Sequence, residues 1–326
     1  MSLNFSISKQ EEVEKEQDVV IIGGGPGGLS AAVYAGRARM KTLVIEKNMV
    51  PGGQIATTHL VEDYPGIKSI GGSELGEKMA EHAIAAGSKI AYGEKVREIR
   101  EEDGWKIIKT NKNEYKAKAI IIATGATWRE LGVDGEKEYR GKGVSYCGVC
   151  DAPFYKDKEV IVVGGGNSAL DESLYIAKFA KKVYLIHRRD KFKGDKVLQE
   201  RVFSTPNIEI VWNTEVKEIR GGEEGVESAL LHNKESGEDK EMKIDAVFVF
   251  IGMIPNTKML DGIVEMDERG YIITNDRMET NIEGIYAVGD CRKSPLKQAV
   301  ISAGEGAIAG HFAAKHIEEK ASEKKA

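Results

Sequence analysis

Two glycine fingerprints in one chain of 326 residues restrict its fold more than any other feature of the sequence. The first, Gly23-Gly24-Gly25-Pro26-Gly27-Gly28, follows the apolar run Val19-Val20-Ile21-Ile22; the second, Gly164-Gly165-Gly166-Asn167-Ser168-Ala169, follows the apolar residues 160–163. A helical stripe succeeds each, with Leu29, Ala32, Val33 and Gly36 in the first and Leu170, Leu174 and Ala177 in the second. Strand, glycine turn and helix in that order make a dinucleotide-binding unit. Its glycines let the backbone turn tightly and approach a pyrophosphate, which rests on the amides and positive end of the helix. A chain this long also exceeds one ordinary core, so two or three units are expected.

The residue that closes the second strand distinguishes the two units. Residues 41–45 read as that strand in the first, and Glu46 ends it. A carboxylate there accepts hydrogen bonds from a ribose and repels a 2′-phosphate, which suits FAD or NAD. The step from Gly23 to Glu46 leads, from Gly164, to His187. No acid stands there. His187-Arg188-Arg189, with Lys193 nearby, instead offer cations where the 2′-phosphate of NADP would lie, although a solvated basic helix start would look similar.

The halves repeat each other. Alternating runs suited to a β-meander follow each unit, at residues 96–99 and 105–110, then at 216–219 and 226–231. Buried strands ending on glycine close them, at 119–123 before Thr124-Gly125 and at 246–251 before Gly252. A further strand at 284–288 ends in Gly289-Asp290, which puts a carboxylate at the carboxyl edge of a sheet, where such folds bind ligands; a cap or turn role for Asp290 competes. The expected architecture is α/β, with two Rossmann-like, three-layer ββα domains. One is inserted into the other: 1–128 and 255–326 form the first domain and 129–254 the second.

Cys147-Gly148-Val149-Cys150-Asp151 precedes the second fingerprint. Thiols spaced C-x-x-C close a small disulfide ring and lower each other's pKa, and the thiolate is the exchanging species. Zinc normally needs four ligands, and only Cys291 remains; a structural staple sits badly in a cysteine-poor chain of cytosolic character. Redox chemistry is the favoured reading, and Cys291 is most simply a small core residue.

Composition excludes other classes. With 47 basic and 52 acidic residues the net charge is -5, which leaves no nucleic-acid footprint. No apolar run approaches a membrane span, and residues 10–18 are charged where a secretory signal would be apolar. A cytoplasmic enzyme without a metal is expected. The first three residues read as an expression remnant, and the charged tail 318–326 as frayed.

Over nearly its whole length the sequence resembles the low-molecular-weight thioredoxin reductases of the bacterial and archaeal type. The resemblance implies that Gly23, Gly25, Pro26, Gly28 and Glu46 hold the ADP part of FAD, with Gly52, Gly53, Gln54 and Asp63 nearer the flavin. Thr124, Gly125, Gly289 and Asp290 complete that pocket, and Lys297-Gln298-Ala299, opening the last helix, meet the ring and its ribityl chain. Gly164, Gly166, Asn167, Ser168, Ala169, His187, Arg188, Arg189 and Lys193 would bind NADPH. Electrons would pass from NADPH through FAD to Cys150, and Cys147 would attack the disulfide of thioredoxin or a similar thioredoxin- or glutaredoxin-like small protein. Asp151 would manage protons, unless it only caps the following helix. The family's two domain orientations imply hinges near residues 125–129 and 252–256, and the family forms homodimers.

The sequence departs from that pattern at Lys193 and Lys297, where arginine is common, at Asp63, where asparagine is usual, and at Ala152, where glycine is usual. Lysine is a point charge without a bidentate grip. Relatives of the same fold include modules of peroxide-reducing systems, dithiol oxidases, and reductases driven by ferredoxin or deazaflavin. A redox sensor that switches partners without turnover is a reading from a different class.

Overall fold

The computed structural model describes residues 14–58 and 60–323, so the proposed N-terminal remnant and most of the residues before Asp18 lie outside the described residues. The chain forms two compact units, Met1–Ala126 with Pro255–Ala326, and Thr127–Ile254.

The first unit is built on a sheet whose central strand, Glu16–Ile22, runs parallel to Thr42–Glu46 on one side and Glu114–Ile122 on the other. Lys89–Tyr92 extends one edge in parallel. The long strand Glu114–Ile122 serves two further partners. Its first half pairs antiparallel with Trp105–Thr110, which pairs with Val96–Glu102, and its last residues pair in parallel with Ile285–Ala287. Successive side chains of a strand point to opposite faces, and this divides the core in two. Val19, Ile21, Val44 and Ile121 meet the helices, whereas Val20, Ile22, Leu43, Ile45 and Ile120 meet the meander residues Val96, Ile99 and Ile108. Burial on both faces is why the strand reads as an unbroken apolar run instead of an alternating one.

The second unit repeats this plan. Its parallel sheet runs Ile208–Val211, Lys182–Ile186, Glu159–Gly164, Ala246–Phe250, Val144–Ser145. Val160, Val162 and Phe248 face the helices, and Ile161, Val163 and Val247 face the meander. That meander has three strands, Thr214–Gly222, Gly225–Asn233 and Asp239–Lys243. The third, Asp-Lys-Glu-Met-Lys, is mostly exposed and charged, the usual protection of an edge, and so carries no apolar signal.

Helix Pro26–Arg37 packs against the last helix, Ala299–Glu323, through small residues. A Cβ on Gly306 would stand 2.0 Å from the Gly27 carbonyl oxygen, and one on Gly310 2.5 Å from that of Ala31. The last helix corrects the expected frayed tail, because it continues to Glu323; residues 324–326 lie outside the described residues. Lys320 joins Glu283 at 2.8 Å and Glu323 at 3.6 Å, which ties the exposed last turns down. No helix among the described residues is long and apolar enough to cross a membrane.

Candidate functional site

The first fingerprint lies where the central strand ends. Gly23 adopts φ 114°, and a Cβ there would stand 2.2 Å from the Ala123 carbonyl oxygen. Gly28 is tighter still, with its Cβ position 1.9 Å from the Gly23 oxygen. Gly25 is the N-cap of helix Pro26–Arg37, which has no side-chain cap and no acid in its first turn. Its first amides thus remain available to an anion.

Glu46, 3 % exposed, accepts from the Gly24 amide at 2.7 Å and from the Asn48 amide at 2.8 Å. The Gly52 amide donates to the Gly24 carbonyl at 2.8 Å, and this holds Gly52-Gly53 beside the fingerprint. The Gln54 side chain donates to the Ala126 carbonyl. Asn256 donates from its backbone to Gly125 O at 2.9 Å and from its side chain to Thr124 O at 3.0 Å.

Gly289 and Asp290 occupy a single 3-10 turn, Gly289–Cys291. The Gly289 amide donates to Glu305 at 2.7 Å, and Glu305 is in turn paired with Arg292. Burial pushes the Asp290 carboxyl up and the Lys297 ammonium down. Lys297 donates to the carbonyls of Asp290 and Arg292 at 2.9 and 3.2 Å, with its ammonium 4.2 Å from the Tyr271 ring centre. Gln298 and Ala299 follow at the start of the last helix. Asp63 is exposed in an open hollow lined by residues 62–68, none of which belongs to the fingerprint. Cys291 is fully buried, as its core reading requires.

The second fingerprint has the same form. Gly166 is the N-cap of helix Asn167–Ile176, again with neither a side-chain cap nor an acid in the first turn, and the space beyond Gly166 is open. Ser168 is exposed there and Ala169 buried. The Asn167 side chain exchanges hydrogen bonds with Asp195, at 2.8 Å to its carboxylate and 2.7 Å from its amide.

The cations separate into two kinds. His187 is 8 % exposed, packs tilted against Phe192 and edge-on to Trp212, and contacts the Lys191 carbonyl at 3.0 Å. Burial, with Arg189 and Arg188 adding, holds its pKa below the usual range. Its ring also fills the place a Cβ on Gly165 would take, at 2.3 Å, so it props the glycine loop from beneath. Arg188, Arg189 and Lys193 are exposed and form no ion pair among the described residues. The amides of Lys193 and Gly194 donate to the Gly165 carbonyl at 2.8 and 3.1 Å, which brings that segment to the fingerprint.

Cys147 and Cys150 are bonded to each other. Cys147 follows strand Val144–Ser145 and is the N-cap of the short helix Gly148–Asp151, where its sulfur accepts from the Cys150 amide at 3.2 Å. Ser145 links the motif to its acid: its hydroxyl donates to Asp151 at 2.6 Å and accepts from the Cys147 amide at 3.1 Å. Burial and Asp151 push Tyr155 up to about 12.

Sequence reasoning missed Glu172, whose Oε2 occupies the position, 2.1 Å away, of a Cβ on Gly148. Burial, with Asp171 adding, pushes this carboxyl up to about 7. A signal was present. Glu172 stands three residues after Ala169 and four before Ile176, both fully buried, on one helix face.

Two uncapped phosphate-type helix starts and a bonded C-x-x-C pair define a dinucleotide-using disulfide oxidoreductase. The chain belongs to the pyridine nucleotide-disulphide oxidoreductase family, whose model matches residues 17–306. Within it, similarity is to thioredoxin reductases. The chain is 48% identical over 306 residues to that of Bacillus subtilis (strain 168), covering 94% of this chain and 96% of the relative. It is 45% identical over 306 residues to that of Listeria innocua, covering 94% and 95%. The crystal structure of thioredoxin reductase from Streptococcus pyogenes superposes with a TM-score of 0.88 at 41% identity, over 94% of this chain and 99% of that one.

Proposed function

We propose that this protein is an NADPH-dependent, FAD-containing thioredoxin-disulfide reductase. The observation that carries the reading is the bonded Cys147–Cys150 pair, set in the same unit as a fingerprint that lacks a ribose acid and carries Arg188 and Arg189. The FAD cradle is Gly23, Gly25, Pro26 and Gly28 at the helix start, Glu46 at the ribose, Gly52 to Gln54 beside them, and Thr124, Gly125, Gly289 and Asp290. The start of the last helix, with Lys297 before it, favours negative charge at the flavin end. When bound, FAD supplies the two-electron relay between nicotinamide and sulfur.

The chemistry at sulfur then follows from the chain's own residues. Two electrons and a proton convert the disulfide to a Cys147 thiolate and a Cys150 thiol. The thiolate attacks one sulfur of the partner's disulfide and expels the other as a thiolate. Cys150, deprotonated, attacks Cys147 Sγ, which restores the internal bond and releases the reduced partner. Asp151, held by Ser145, carries the protons of this cycle. A cytoplasmic location and a homodimer belong to the same proposal; the first rests on the charged stretch at residues 10–18 and the second on the family resemblance alone.

Anaerobic titration with NADPH and then NADH, followed by oxidised thioredoxin, tests the reading. NADPH is expected to bleach the flavin at far lower concentration. Arg188→Ala and Arg189→Ala should each weaken NADPH and spare NADH. Each lost charge-assisted hydrogen bond is worth about 1.5–3 kcal/mol, roughly tenfold to more than a hundredfold in KM. His187→Gln should instead lower thermal stability without restoring NADH, because its ring packs beneath Gly165. Equal use of NADH by the unaltered protein would refute the assignment of the arginines.

A further inference from the structure

Glu172 has no part in the reaction as set out above, yet its carboxyl lies against Gly148, in the turn between the two cysteines. Its Oε2 is buried without a hydrogen bond of ordinary geometry, although the amides of Gly148 and Val149 face the carboxyl. Those amides open the short helix that Cys147 caps, and the Cys147 sulfur accepts from the Cys150 amide of the same turn. One carboxyl and one sulfur therefore draw on the positive end of a single turn of backbone.

We propose that Glu172 is a positioning residue for the dithiol, anchoring the turn that carries Cys147 and Cys150 and taking up a proton when the pair is reduced. The proposal rests on the redox role given to the pair above. Two electrons break the Sγ–Sγ bond. Cys147 is left as a thiolate, one proton makes Cys150 a thiol, and a second makes Glu172 a carboxylic acid, so two electrons and two protons are taken up. Ionised Glu172 and the Cys147 thiolate would be like charges drawn to neighbouring amides of one short turn in a partly dry site, and each disfavours the other. A carboxyl already pushed up to about 7 by burial is poised for the thiolate to tip it.

The surroundings leave few other candidates. Asp171 lies on the same helix and raises the Glu172 pKa. Asp151 and the two sulfurs lie on the helix against it, and Tyr155 on the turn that follows. Helix Lys196–Ser204 carries Lys196, Glu200 and Arg201 exposed. On the neighbouring strands, Glu159 is paired with Lys181 and Lys182 with Glu209, while the Tyr184 hydroxyl bonds Glu159.

The test is the alkylation rate of Cys147 in the reduced, flavin-loaded full chain, measured against pH. The unaltered protein should show two inflections, one from the thiol and one at or above neutral pH from Glu172. Glu172→Gln should leave the thiol inflection alone, shifted to lower pH, with alkylation up to about tenfold faster above neutrality if the shift approaches one unit. Asp171→Asn removes an exposed charge and should move the Glu172 inflection to lower pH with the fold intact. It decides the matter even if Glu172→Gln does not fold. Superimposable profiles for the unaltered protein and the variants that fold would overturn the proposal and leave Glu172 as packing. Thioredoxin turnover separates the two readings, since a protein that turns over with superimposable profiles loses only this inference.

Discussion

Cys147→Ser and Cys150→Ser should each abolish thioredoxin reduction while NADPH still bleaches the flavin. Both sulfurs are needed because the cycle forms and breaks one bond between them, and a serine hydroxyl neither exchanges with a disulfide nor leaves as a stable anion at neutral pH. The expected loss in kcat is at least about a thousandfold, of the size seen when a covalent nucleophile is removed. Stopped-flow absorbance with NADPH alone, set beside steady-state thioredoxin turnover, separates the two half-reactions. Turnover within tenfold of the unaltered protein would remove the pair from the mechanism.

Gly28→Val should yield a protein that does not hold flavin. A Cβ at this position would stand 1.9 Å from the Gly23 oxygen and 3.2 Å from the Ala123 side chain. The first clash is with backbone and cannot be relieved by a rotamer change. Relief requires the helix to move away from the strand end, and that movement disperses the amides meant for the pyrophosphate. Destabilisation of about 3–5 kcal/mol is the expected scale for such overpacking, and the purified variant should be colourless with a lowered Tm. A yellow protein with an unchanged melt would show that the glycine is not required where the backbone places it.

The sequence was most legible where backbone chemistry leaves few choices. Both fingerprints stand as strand, glycine turn and helix, and the parallel strands are the apolar runs, because a strand buried on both faces has no polar residue to blur it. The three-layer plan was legible for the same reason, since alternate residues of one strand feed two separate cores. Asp239–Lys243 escaped notice because an exposed edge strand is selected for charge.

The site was legible in part. Glycines, Glu46 and the cysteine pair are read from spacing, but the difference between His187 and its two arginine neighbours depends on which way each side chain turns at a strand end. That is set by packing against Phe192, in the loop just after them, and Trp212, which is distant in sequence. Glu172 was hidden because an acid in a helix ordinarily marks the solvent face. Only the close approach of Gly148, a residue without a side chain, makes room for its carboxyl. The smallness of Gly148, between the two cysteines, serves the neighbouring helix.

The most direct test of the central claim is a count of reducing equivalents. Under anaerobic conditions the flavin-loaded protein should consume about two equivalents of NADPH per chain, one for the flavin and one for the disulfide, each a two-electron couple. Thiol titration afterwards should find the Cys147 and Cys150 thiols newly exposed to reagent, and oxidised thioredoxin should reverse the change. Uptake of about one equivalent, with the Cys147–Cys150 bond intact and thioredoxin unreduced, would contradict the account.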